Sequence, residues 1–263
     1  MSTLQQQWLV PHWPGLPDGV GALSTTRRGG VSPAPYDDGM GQGGLNLGTH
    51  VGDQPHNVAR NRAILRSMLP GDPGWLAQVH GTAVANLSRL GPQEVPEADA
   101  SLTTTPGKVC VIMTADCLPV LFCDVEGKTV AAAHAGWRGL AAGVLENTVE
   151  SMRAAGAGEL MAWMGPAIGA YQFEVGTEVR EAFLAGAVDA SGVRHVDAAF
   201  SPIEGKSGKY LADIYGLARY LLRRAGVLQV HGGEFCTVSN SGRFYSYRRD
   251  GVTGRQAALI WIK

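Results

Sequence analysis

The sequence lacks any apolar run near the roughly 20 residues that a helix needs to cross a bilayer. No basic segment followed by an apolar one opens it, because Pro11 and Pro14 break the stretch MSTLQQQWLVPHWPGLP, so secretion is not expected. Cysteine is scarce. Cys110, Cys117, Cys123 and Cys236 form no short-spaced framework, so a cytoplasm with free thiols is the expected setting. An excess of one charge is also missing. Lys and Arg number 22 against 23 Asp and Glu, a net −1, so neither nucleic acid nor an anionic membrane is an expected partner. Anion binding must then come from local clusters. No internal repeat or low-complexity linker divides the chain, and residues 1–263 read as a single domain of ordinary globular composition.

Glycine is plentiful, at 36 residues, which favours turns and a site built from loops. Strands are expected at 20–26, 74–81, 83–90, 107–114, 118–124, 128–135, 159–168, 244–249 and 256–263. Helices are expected at 54–69, 137–155, 174–187 and 211–225, the second stopping at Gly156 or Gly158. The Gly-, Pro- and Asp-rich stretch 29–52 reads as a lid over a pocket. Within it GMGQGG fits a dinucleotide fingerprint, but no strand precedes it and no helix follows. Strands and helices mix without strict alternation. The expected fold is therefore α/β (α+β): a layered sandwich of mixed sheets flanked by helices, not a doubly wound sheet.

Two adjoining fragments carry the chemistry, TADCLPVLFCD with Cys117 and TVAAAHAGWRGL with His134. A hairpin turning near Glu126 sets Leu118 opposite His134 and Cys117 opposite Ala135. A slip of one residue would pair Cys117 with His134, and opposed residues lie about 4.5–5.5 Å apart. Three readings stay open on these residues: a packed Cys beside a satisfied His, a Cys–His nucleophile pair, and metal ligation. A second histidine, His80 in LAQVHG, also ends an expected strand. One Cys and two His suffice for zinc and leave a fourth position for water or substrate, the catalytic arrangement.

Taken in order, STTRRGGVS, GGLNLGTHVGD, LAQVHGTAV, TADCLPVLF, AAAHAGWRGL, MGPAIG and FYSYRRDGVTGRQAALIWI resemble the laccase-domain family, also called the polyphenol oxidase or peptidoglycan editing factor family. The likeness runs from about residue 20 to the C-terminus. It implies a layered α/β sandwich with zinc held by His80, Cys117 and His134. It also implies a purine nucleoside enzyme that phosphorolyses adenosine, inosine and methylthioadenosine and deaminates adenosine. A bacterial branch is tied to peptidoglycan editing, which supplies the alternative: a cysteine or zinc hydrolase acting on an L-Ser-containing muropeptide precursor. The sequence departs from the family after GPAIG, reading Ala170-Tyr171-Gln172-Phe173 where a Cys–Tyr pair is usual. Copper is the less suited metal, because the seven histidines include no His-x-His pair of the multicopper kind.

Other candidate groups follow from what the reaction needs. Phosphate calls for arginine, and Arg27, Arg62, Arg138 and Arg248 are candidates. Arg138, at the start of an expected helix, is the preferred phosphate residue. Asn46 is a candidate sugar contact, with a plain turn Asn as the alternative. Asp116, beside Cys117, is placed as an orienting group for a histidine or as a general base, with a turn-capping Asp as the alternative. The expected partners are small-molecule nucleosides and phosphate, with the chain as a monomer or homodimer.

Overall fold

The computed structural model describes residues 7–91 and 94–263; the first six residues of the N-terminal stretch and residues 92 and 93 lie outside it. Three sheets organise the chain. The largest has six strands in the order Gln229–Gly232, Leu160–Met164, Leu118–Asp124, Val130–Ala135, Ala100–Thr103 and Val84–Asn86. Its inner pairs are antiparallel and its two outer pairs parallel. A four-stranded sheet runs Val20–Ser24, Gln256–Ile262, Val109–Thr114 and Pro73–Gly74. A small antiparallel sheet joins Glu174–Gly176, Lys209–Ala212 and Phe200–Pro202.

Alternation along the strands explains the layers. In Leu118–Asp124 the side chains of Leu118, Val120 and Phe122 face a helical layer that includes Leu140, Val144, Leu145, Leu217 and Leu221. Leu121 and Cys123 face the other way, onto Cys110, Ile112, Ala258 and Ile260 of the four-stranded sheet. The far side of that sheet, through Val109, Val111 and Leu259, meets Leu65 of the helix Pro55–Arg66. The result is helices, sheet, sheet and helix, a mixed α/β sandwich as the patterning implies. Both faces of the central strands are buried, so they read as unbroken apolar runs.

Several local expectations shift for visible reasons. The 137–155 helix is two helices, Trp137–Ala142 and Val144–Ala154, because Gly143 takes φ 100° between them. The segment 244–249 is not a strand. Phe244 and Tyr245 are both buried, which breaks alternation, and the Ser246 hydroxyl caps a short helix Tyr247–Asp250 by accepting from the Arg249 N–H. The expected helices at 174 and 211 each begin as strands. The second one starts only at Ile214, where the Asp213 carboxylate accepts from the Gly216 N–H. Most of 74–81 is irregular. The 29–52 stretch is no lid: Ser32, Tyr36, Leu45, Asn46 and Leu47 are buried in it, and the Asn61 amide ties it to the first helix through Gly44 O and Asn46 O. Among the described residues no helix is long and apolar enough to cross a membrane.

Candidate metal centre and cleft

The chain changes sheets between Thr114 and Leu118, leaving the four-stranded sheet and entering the six-stranded one. Cys117 stands in that crossover. Its neighbour Asp116 takes φ 93°, a conformation that non-glycine residues rarely adopt. The Asp116 carboxylate holds the bend in place. It accepts from the Thr237 hydroxyl at 2.5 Å, the Ser246 hydroxyl at 3.0 Å and the Arg248 N–H at 2.7 Å. These bonds tie the crossover to the C-terminal segment and occupy both carboxylate oxygens. Asp116 is therefore a structural anchor in this geometry and makes no hydrogen bond with a histidine.

His134 lies at the end of Val130–Ala135, and the hairpin register pairs Leu118 with Ala135 and Pro119 with His134. That is one residue from the expected register, in the sense that carries Cys117 beyond the last pair. His80 reaches the same point from an irregular segment, with φ 63°. The three possible ligand atoms all lie within 4.8 Å of one another. Cys117 Sγ stands 3.7 Å from His80 Nε2. Tetrahedral zinc with bonds of about 2.3 and 2.05 Å would set sulfur and nitrogen about 3.6 Å apart, so the Cys117–His80 pair has the spacing of two ligands of such an ion. The neighbouring backbone is shaped to the trio. A Cβ on Gly136 would lie 2.9 Å from His80 Cδ2 and 3.0 Å from Cys117 Sγ. A Cβ on Gly139 would meet Gly81 O at 2.8 Å. This is the physical content of the glycines in HAGWRG.

The residue that orients the centre is Asp99, which sequence reasoning missed. His134 Nδ1 stands 2.8 Å from Asp99 Oδ1, which leaves Nε2 as the free donor. The same carboxylate accepts the backbone N–H groups of Val79, His80 and Gly81 at 3.1, 2.9 and 2.6 Å. Burial would raise the Asp99 carboxyl, but His134 and the backbone of Gly81 and Val79 hold it below its usual value. Burial likewise opposes charge on the Cys117 thiol, and the adjoining His134 and His80 bring it well below the ordinary thiol range. His134 is driven down by burial and up, more strongly, by Cys117 and Asp99. The shifts of Cys117 and His134 run in opposite directions because each group favours the charged form of the other.

The centre opens into a cleft of about 720 Å³. Trp75, Met113, Trp137, Ile168, Phe173 and Tyr247 give it apolar walls, a setting for a flat heterocycle. Arg62, Arg138 and Arg248 line it. Arg62 lies 3.8 Å over the Trp75 ring centre and Arg138 lies 4.5 Å over Trp137. Arg248 donates to Glu174 O. His50, Gln78 and Arg255 also line it and were not foreseen. Arg27 and Asn46 do not reach it. The Arg27 guanidinium is committed to Asp37 and to Ser241 O. The Asn46 amide donates to Gly48 O and Asp53 and accepts from Gly48 and Arg255 N–H groups. Both are buried polar side chains bonded to the surrounding loops and away from the cleft, a role that a polar residue in a glycine-rich stretch does not reveal.

Comparison with known proteins shows what the chain is similar to. The family model described as multi-copper polyphenol oxidoreductase laccase matches residues 21–263. A purine nucleoside phosphorylase of Pseudomonas aeruginosa is 53% identical over 256 residues, covering 97% of this chain and 98% of the relative. The purine nucleoside phosphorylase YfiH of Escherichia coli is 52% identical over 258 residues, covering 97% and 98%. Among solved structures, a Neisseria meningitidis protein superposes with TM-score 0.88 at 47% identity, covering 98% of this chain and 99% of that one. YlmD from Geobacillus stearothermophilus gives TM-score 0.84 at 30% identity, covering 98% and 96%.

Proposed function

The chain belongs to the family described as multi-copper polyphenol oxidoreductase laccase, and we propose that it is a zinc-dependent purine nucleoside phosphorylase acting on adenosine, inosine and methylthioadenosine in the cytoplasm. One observation carries the reading: a three-donor centre of two His and one Cys in the lining of a cleft with aromatic walls and guanidinium groups. The names of the bacterial relatives point the same way. Zinc suits the donor set, and copper at the same trio is the less suited alternative. Among the described residues this trio is the one cluster of three or more His, Cys, Asp or Glu donors, which does not match a multicopper oxidase.

In phosphorolysis a phosphate oxygen attacks the ribose anomeric carbon, the bond from that carbon to the purine nitrogen breaks, and the base leaves with the electron pair and takes a proton. A zinc ion in the trio would supply a Lewis acid or an activated water. Asp99 fixes the His134 ring and the His80 backbone so that their donors converge. Trp137, Phe173 and Tyr247 stack on or wall the base, and the arginines balance phosphate charge. Deamination of adenosine is a second activity the same cleft would serve.

The test is product analysis after incubating the zinc-loaded protein with adenosine, with and without phosphate. Adenine that forms only with phosphate supports phosphorolysis, and inosine supports deamination. Absence of both products from adenosine, inosine and methylthioadenosine alike would refute the reading and return the thiol or muropeptide hydrolase alternative to first place.

A further inference from the structure

Several basic side chains of the cleft, Arg138 and Arg248 included, enter no ion pair among the described residues, and three of them share one stretch of backbone. The three are Arg62, Arg255 and His50. One residue, Leu47, links the two arginines through its backbone. Arg62 Nε donates to Leu47 O at 3.0 Å, and Leu47 N donates to Arg255 O at 3.1 Å. The Arg255 stem lies against Gly48, where a Cβ would come within 2.8 Å of its Cγ. His50 follows on the same segment, at the mouth of the cleft.

Both guanidiniums are held in fixed planes. Arg62 stacks on Trp75, and Arg255 Nη1 donates to Thr253 O at 3.1 Å and Gly254 O at 3.0 Å. Arg62 Nη1 and Arg255 Nε and Nη2 keep their N–H groups without a protein acceptor among the described residues. Arg138 lies over Trp137 and makes no side-chain hydrogen bond among the described residues. The Asp116 carboxylate, within electrostatic reach of Arg255 together with Cys117, is already filled by Thr237, Ser246 and Arg248. The cluster therefore adjoins the metal centre and remains positive. Burial, then the charges of Arg255 and Arg62, holds the His50 imidazole below its ordinary value, and burial brings Arg62 down to about 10. Gathering like charges in a partly buried cleft costs free energy that an entering anion recovers.

We propose that Arg62, Arg255 and His50 form the oxyanion subsite of the cleft and take inorganic phosphate there, as the co-substrate of the phosphorolysis proposed above, on which this inference rests. Two planar forks with free N–H groups suit a tetrahedral oxyanion better than one.

The experiment is calorimetric titration of zinc-loaded protein with inorganic phosphate, and separately with uridine diphosphate, without nucleoside. Wild type is compared with Arg62→Gln, Arg255→Gln, Arg255→Lys and Arg138→Gln, each checked for fold by thermal melting. Saturable phosphate binding is expected, weakened about tenfold or more in both Gln variants at positions 62 and 255. Arg255→Lys should restore part of it, which separates lost charge from lost fold. Unchanged phosphate binding in Arg62→Gln and Arg255→Gln, or a loss confined to Arg138→Gln, overturns the subsite. Tight uridine diphosphate binding with no phosphate binding overturns the co-substrate assignment. Turnover then separates the two claims. Inosine cleavage with an unaltered phosphate KM in both variants ends the subsite but not phosphorolysis. Phosphate binding without cleavage of any purine nucleoside ends phosphorolysis but leaves an oxyanion site.

Discussion

Asp99 serves two of the three donor residues at once. Its Oδ1 stands 2.8 Å from His134 Nδ1, and the same carboxylate collects the backbone N–H groups of Val79, His80 and Gly81. One side chain thus sets the ring of one histidine and the positive-φ backbone of the other. The metal centre is organised by a group whose own sequence context, EADAS, carries no motif.

The first prediction follows from that pair. Asp99→Ala should weaken zinc affinity by about 10–100-fold, the range typical for partners of metal-bound histidine. Asp99→Asn should fall between, since an amide can still accept one of the bonds. Competition against a chromophoric chelator measures it. Equal affinity in folded Asp99→Ala would mean the carboxylate only supports the loop.

Gly136 gives the second. Its φ of −60° suits any residue, so substitution carries no backbone strain. Gly136→Ala instead drives a Cβ toward His80 and Cys117. Zinc affinity should drop at least about tenfold, with metal-free stability lowered by only about 1–2 kcal/mol. Gly143→Ala should behave in the opposite way. Its φ of 100° costs about 1–2 kcal/mol of stability and leaves metal affinity alone. Paired melting and metal titrations read both.

Arg27 supplies the third. It lies over the Tyr245 ring at 5.0 Å and bonds Asp37 and Ser241, outside the cleft. Arg27→Leu should destabilise by about 1–3 kcal/mol through the lost hydrogen bonds to Asp37 and Ser241 and the lost contact with Tyr245. The nucleoside and phosphate KM values of the folded fraction should match wild type. A raised KM at unchanged stability would restore Arg27 as a substrate contact.

How far the sequence alone reached depends on the range of each interaction. The trio was legible because each donor stands at or beside the end of an expected strand, and because QVHG, ADCLP and HAGWRG stand in order. The layered sandwich was legible from strand lengths and apolar runs such as VCVIMT and LPVLFCD. The hairpin was offset by one residue, since turn position alone does not fix register. Asp99 was invisible because it meets His134 across 35 positions. Asp116 attracted attention by adjacency to Cys117, yet its partners Thr237 and Ser246 lie more than 120 positions away. Arg255 and His50 belong to the cleft only because Leu47 and Gly48 bring distant segments together, a closure that no local pattern encodes.

The most direct test of the account is a zinc titration into metal-free protein, following phosphate-dependent cleavage of inosine to free base. The account predicts no cleavage without metal, a rise that saturates at about one zinc per chain, and no recovery in His80→Ala. Full activity in rigorously metal-free protein, or in His80→Ala at any zinc level, would contradict it.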